Sequence, residues 1–191
     1  METWNKYKSH RIRIFTDEES PLTLENLSAF LYDLVLIHDR LFLLLSTDYK
    51  GKIPSGLAFY RRNGRPIKKP DKLQISLIIK ESPTLIEIIV PAILVGVPTF
   101  ALTFIKILEK IADWNEDRAI KRIDRQTKEI ELHRLIQEET EITLMQRHPA
   151  ESEELKNSLV KDAIRLSANE QLSIKRIEFL PMPDDDPEHS H

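Results

Sequence analysis

His38 and Asp39 form the adjacent pair of side chains in this sequence that is best suited to acid–base chemistry. An imidazole beside a carboxylate is a frequent general base. His38 also falls on the apolar face of a run with helical period, between Leu34 and Leu41, where a lone histidine is more often a core residue than a catalyst. We therefore interpret His38 as structural and predict that the chain is not an enzyme.

Other residue patterns exclude several kinds of chemistry. The 191 residues include no cysteine, which excludes thiol catalysis, disulfides and thiolate metal sites. Four glycines, with no G-x-x-x-x-G-K or G-x-G-x-x-G pattern, leave no recognisable phosphate-binding loop. The histidines have no zinc-binding spacing, and they are His10, His38, His133, His148, His189 and His191. We expect neither a metal nor a cofactor.

A basic segment lies between residues 50 and 72, where eight lysines and arginines accompany a single acid, Asp71. Such a segment could bind anionic lipid head groups, or a nucleic-acid backbone with Tyr60 stacking on a base. It could also be a solvated loop whose lysines keep a sheet edge from pairing. The adjacent apolar segment favours lipid over nucleic acid, and the net charge of −3 gives no general case for nucleic-acid binding. The predicted anion-binding residues are Arg61, Arg62, Arg65, Lys68, Lys69 and Lys72.

The apolar segment contains 18 consecutive residues without a charge, from Ile88 to Ile105. A run of this length is a candidate transmembrane helix, and Ala92 and Gly96 have the spacing that lets two such helices approach closely. The alternative is two short buried elements with a turn at residues 96–98, hidden in the core or between identical subunits. The predicted membrane or oligomer contacts are Ile88, Ile89, Ala92, Ile93, Gly96, Phe100 and Phe104.

The elements around these segments predict an α+β fold: a small N-terminal mixed sheet with a packed helix, followed by a long C-terminal helical stalk. Strands are expected at 11–15, 57–61 and 73–80, and a helix is expected from a Thr23 cap to about Asp39. Residues 41–45 fit either more helix or a strand. One long helix is expected over 99–146.

The composition along the chain predicts five segments. A last helix should start near Ser152, and a strand at 172–179 could return to the N-terminal sheet. The segments are an α+β domain at 1–82, the apolar segment at 83–106, a long charged helix at 107–148, a helix with a possible strand at 149–180, and a disordered acidic tail at 181–191.

These patterns favour a non-enzymatic scaffold, adaptor or effector that associates with a membrane or assembles with itself through residues 85–105. One alternative is a soluble homo-oligomeric regulator that buries this segment between subunits, and another is a nucleic-acid-binding protein that uses the basic segment. The helix at 107–148 could contact a protein partner. Because no apolar stretch follows the polar N-terminus, a secretory signal is not expected, and we predict a location on the cytoplasmic side, with inner-membrane association if the apolar segment inserts.

Overall fold

In its described residues, a computed structural model of the chain shows one antiparallel sheet of four strands together with four helices. The structure describes residues 10–17, 22–45, 67, 71–80, 83–90, 99–118, 125–144, 149–169 and 172–180. The strands are β1 (His10–Asp17), β2 (Gln74–Ile79), β3 (Thr84–Val90) and β4 (Ser173–Leu180), and their order in the sheet is β2-β3-β1-β4. The expected α+β class is confirmed, and the strand near the C-terminus does return to pair with β1.

Side chains along β1 point alternately to the two faces of the sheet, and the two faces differ in burial. Ile12 and Ile14 are fully buried and belong to the hydrophobic core, whereas Arg11 and Arg13 lie on the opposite face. The cross-strand partners of Ile12 and Ile14 on β3 are apolar and equally buried. Because one face is packed and the other carries charge, a shift of one residue would bury the arginines, and the register is therefore well specified.

The helices are α1 (Leu24–Leu45), α2 (Thr99–Arg118), α3 (Arg125–Leu144) and α4 (Pro149–Ser167). The predicted cap of α1 is confirmed, because the Asn26 N–H donates a hydrogen bond to Thr23 Oγ1 at 3.2 Å. Helix α1 continues to Leu45, so residues 41–45 are helical. Every residue of its last turns is buried, which explains why the apolar run there has no amphipathic period.

The apolar segment does not form one continuous helix. Its first residues form β3 inside the sheet, and residues from Thr99 onward form α2. Ile88, Phe100 and Phe104 are buried in the hydrophobic core of the chain. That this segment contacts a bilayer or a second subunit stays a prediction. None of the described helices is both long enough and apolar enough to cross a membrane.

The long helix expected over 99–146 is instead two helices, α2 and α3, that pack side by side. Lys106 contacts Glu139, and Lys110 Nζ lies 3.0 Å from Glu131 Oε2. Trp114 Nε1 donates a hydrogen bond to the same Glu131 oxygen at 2.9 Å. Residues late in α2 thus contact residues early in α3, which requires the helices to run antiparallel. Charged residues of the segment that was predicted to form a stalk instead make contacts between α2 and α3. A stalk is therefore not confirmed.

One hydrophobic cluster joins the described elements. It contains residues from β1, β3, β4 and all four helices. The sheet takes strands from three of the five predicted segments: 1–82, 83–106 and 149–180. The acidic tail at 181–191 lies outside the described residues.

Candidate functional site

The predicted His38–Asp39 pair is formed, and it lies in the interior. His38 Nδ1 and Asp39 Oδ1 are 3.0 Å apart, and His38 is fully buried. The rings of Phe100 and Phe104 lie nearly perpendicular to the imidazole at ring-centroid distances of 5.2 and 6.0 Å. His38 Nε2 is buried without a hydrogen-bond partner. A substrate could reach this nitrogen only by displacing core side chains, so the pair has the surroundings of a core histidine rather than of a general base.

Charged side chains also lie between α1 and α4. Arg40 of α1 is hydrogen-bonded to Asp162 of α4, and both residues are buried. Arg165 Nη2 contacts Asp162 Oδ1 at 3.2 Å and Asp33 Oδ1 at 2.5 Å. Burial raises the pKa of Asp162, although the guanidiniums of Arg40 and Arg165 act in the opposite direction. The two acids and two bases satisfy one another, so this cluster connects two helices and has the character of a structural network.

A third polar cluster lies on the face of the sheet opposite the core and involves three strands. Glu87 of β3 accepts hydrogen bonds from Ser76 Oγ of β2 at 2.8 Å and from Arg13 Nε of β1 at 2.9 Å. Arg11 Nη1 lies 3.8 Å from Glu87 Oε1. The hydrogen bonds from Ser76 and Arg13 lower the pKa of Glu87, against the effect of burial. The cluster fixes β2 to the rest of the sheet at Ser76, where the β2–β3 register shifts.

This carboxylate should make stability depend on pH. Because the folded-state pKa of Glu87 lies below its usual value of 4.5, its stabilisation is fully present above that pH and is lost as the pH falls through the folded-state pKa. We expect Glu87→Gln to lower the free energy of unfolding by about 1.5 kcal/mol at pH 7, and the difference from the wild type to shrink below pH 4.5. Urea unfolding followed by circular dichroism at several pH values measures this difference.

Glu178→Gln is the matched control for that prediction. Glu178 lies on the same face, 3.1 Å from Arg176 Nη2, but its side chain is more exposed, so the loss should be no more than about 0.5 kcal/mol. A difference for Glu87→Gln that stays constant from pH 7 to pH 3 would contradict the role of its charge.

The edge strand β2 carries the most exposed apolar surface of the sheet. Ile75, Leu77 and Ile78 are 45%, 41% and 36% exposed. Ile75 and Ile78 are paired with the core residues Ile88 and Ile86, so they continue the apolar face of the sheet outward. Among the described strands, β2 has a neighbour on one side only. An uncharged edge strand with exposed branched side chains is a template for another strand.

The opposite edge, β4, has a different composition. It carries Lys175, Arg176 and Glu178 within eight residues, and Lys175 Nζ lies 3.5 Å from Asp17 Oδ2. The Arg176 guanidinium also packs on the Phe15 ring at 4.2 Å. Charged side chains of this kind discourage pairing with another chain. The segment Gln74–Ile79 contains no charge at all, so the candidate functional site is the β2 edge.

The structure places some of the residues predicted for binding and leaves others outside the described parts. Lys72 is exposed and precedes β2. Ile89 is half-buried on the sheet face opposite the core. Outside the described residues lie Arg61, Arg62, Arg65, Lys68, Lys69, Ala92, Ile93, Gly96 and the strand expected at 57–61. Within the described part of the chain, no three histidine, aspartate or glutamate side chains are grouped as metal ligands.

Comparisons with protein-family models, with curated proteins and with solved structures found no match to this chain. A function is therefore inferred from the geometry of the chain itself. The residues of the β2 edge were part of a predicted strand, but the prediction did not identify this strand as an edge of the sheet. The available signal was the charge-free stretch Gln74–Ile79, set between Lys72 and Lys80.

Proposed function

We propose that the chain is a non-enzymatic interaction module of a scaffold or adaptor, and that it binds another polypeptide strand along the side of β2 that no other described strand occupies. The observation that carries this proposal is the exposed, uncharged β2 edge, with Ile75, Leu77 and Ile78 between 36% and 45% exposed. A bound strand would gain main-chain hydrogen bonds from the edge, and the side chains on either face would add specificity.

The position of the acid–base residues supports a function without catalysis. The His38–Asp39 pair is buried under Phe100 and Phe104. The network of Arg40 and Asp162 is equally internal. The exposed feature with a physical tendency to bind is the sheet edge, because apolar side chains and backbone groups at an edge gain from being covered.

The bulge in β2 limits how long a strand the edge can accept. The register with β3 shifts between Ile75 and Leu77, and Ser76 within this shift is held by Glu87. A bulge increases the local twist of a strand. The straight part available for pairing is therefore short, which fits a contact made by a few residues rather than uncontrolled association.

Site-specific photo-cross-linking tests the proposal. A benzophenone amino acid at position 77, in the full chain at its native level in the cells that encode it, should give a cross-linked adduct with a polypeptide. The same group at position 130 is the control, because Ile130 is 68% exposed but lies on α3, away from the sheet edge. Adducts of equal yield at both positions, or none at position 77, would overturn the proposal.

A further inference from the structure

We infer that the strand bound at the β2 edge is β2 of a second copy of this chain. This inference rests on the proposed function and names its partner. Two β2 strands would pair antiparallel about a twofold axis and form a continuous eight-stranded sheet. The order would be β4-β1-β3-β2 in one copy and β2-β3-β1-β4 in the other. The three pairs formed by the described strands are antiparallel, so the new pair continues the existing pattern across the axis.

The difference between the two edges favours a closed pair over a filament. If β2 of one copy paired with β4 of another, each copy would keep a free edge and growth would continue. Strand β4 carries the charged residues Lys175, Arg176 and Glu178, which disfavour pairing of β4 with β2 of another copy. Pairing of β2 with β2 uses the uncharged edge of both copies, and the two edges left over are the charged ones. The charge distribution of the sheet therefore selects a dimer.

The side chains of β2 also match a second copy of themselves. Ile75 and Ile78 extend the core face of the sheet, since their cross-strand partners are Ile88 and Ile86. Leu77 is paired with Glu87 on the opposite face. In an antiparallel self-pair, each face meets the same face of the other copy. The isoleucines would lie beside isoleucines, and leucine would lie on the other face. Apolar surface that is exposed in one copy would be covered in two.

The absence of cysteine from the chain makes a distance experiment direct. Single-cysteine variants of the full chain at positions 75, 77 and 78 carry a nitroxide label, and pulsed electron spin resonance measures label-to-label distances between copies. In an antiparallel pair the separation along the strands grows by about 7 Å for each residue moved away from the axis. The three label-to-label distances should therefore be short. They should differ by amounts that place a single twofold axis within β2. A label at Phe179 on β4 should give about 34 Å, because seven strand spacings of about 4.8 Å separate the two copies of β4.

Sedimentation of the unlabelled protein accompanies the distances. The wild type should show a concentration-dependent dimer, and Ile78→Lys should raise its dissociation constant about tenfold or more, because the twofold axis places two added lysines in one interface. Ile130→Lys is the matched control and should leave the dissociation constant unchanged. Circular dichroism of both variants shows that the fold is kept.

Each result separates this inference from the proposed function. A wild type that stays monomeric, or a dimer whose shortest label-to-label distance is at Phe179, overturns the inference. If a monomeric protein still gives an adduct with a different polypeptide at position 77 in cells, the proposed function stands and the second copy is excluded. If position 77 gives no adduct in cells and the protein is monomeric, both fail.

Discussion

Arg40→Met should lower the free energy of unfolding by about 3 kcal/mol at pH 7, because it breaks a buried ion pair on one side only. Asp162, whose side chain is 2% exposed, would lose the guanidinium of Arg40 and keep the 3.2 Å contact from Arg165 Nη2. A buried carboxylate with fewer partners is costly to keep ionised. Urea unfolding at one fixed protein concentration measures the loss, because any association would otherwise contribute to apparent stability.

The loss in the Arg40→Met variant should depend on pH in a defined direction. Burial already raises the pKa of Asp162 above its usual value of 3.8, and removal of Arg40 raises it further. Ionised Asp162 then costs the folded state stability at pH values above 3.8, so the deficit of the variant should shrink as the pH falls toward that value. A deficit that grows with acidity would contradict this explanation.

Two further variants distinguish the lost charge partner from lost packing. The double variant Arg40→Met/Asp162→Leu removes both charges and should return to within about 1 kcal/mol of the wild type, because a buried ion pair is often no more stabilising than well-packed apolar side chains. Arg134→Met removes an exposed arginine that contacts Glu138 at 2.7 Å on the surface of α3, and it should leave the free energy of unfolding nearly unchanged.

Phe104→Ala should destabilise the chain by about 3–5 kcal/mol, the range for removing a buried aromatic ring from a core. Phe104 is fully buried, its ring is stacked with Phe100 at a centroid distance of 6.4 Å, and it lies nearly perpendicular to the His38 ring. Neighbouring rings hold one another in place, so the space left by Phe104 would not collapse easily. Urea unfolding of the purified variant measures the effect.

The Phe104→Ala variant also shows whether Phe104 is a core residue or a residue that contacts a second subunit. If Phe104 faced a second subunit, its replacement would weaken association and leave the unfolding of a single chain nearly unchanged. Leu102→Ala is the matched control on the same helix, because Leu102 is 50% exposed and its truncation should cost less than about 1 kcal/mol. Equal losses for both variants would show that Phe104 does not have the buried position described.

Local patterns were sufficient to predict several elements. The alternation at Arg11–Phe15 predicted β1, the branched residues at 73–80 predicted β2, and Thr23 predicted the start of α1. Each of these signals depends on side chains within a few residues of one another. The end of α1 could not be predicted, because a helix covered on all sides has no polar face to give it a period.

The positions of the apolar segment and of the charged segment after it could not be predicted from the sequence, for a single reason. Eighteen residues without charge are compatible with a membrane, a subunit interface or a core, and hydrophobicity alone does not tell what covers a side chain. Ile88 is fully buried in the core, and β3 lies between β2 and β1 in the sheet. Likewise, the charged residues of α2 and α3 are compatible with one long helix or with two helices that pack against each other. Contacts between the two helices, such as that of Lys110 with Glu131, show that there are two.

The sequence by itself determined which residues prefer strand or helix, that thiol and phosphate-loop chemistry are excluded, and that a large apolar surface had to be covered. The tertiary structure alone decided what covers that surface and which strand was left at the edge. The physical reason is that burial and strand order depend on residues far apart in the chain. Gln74–Ile79 is exposed because β1, β3 and β4, from the two ends and the middle of the sequence, occupy the other positions in the sheet.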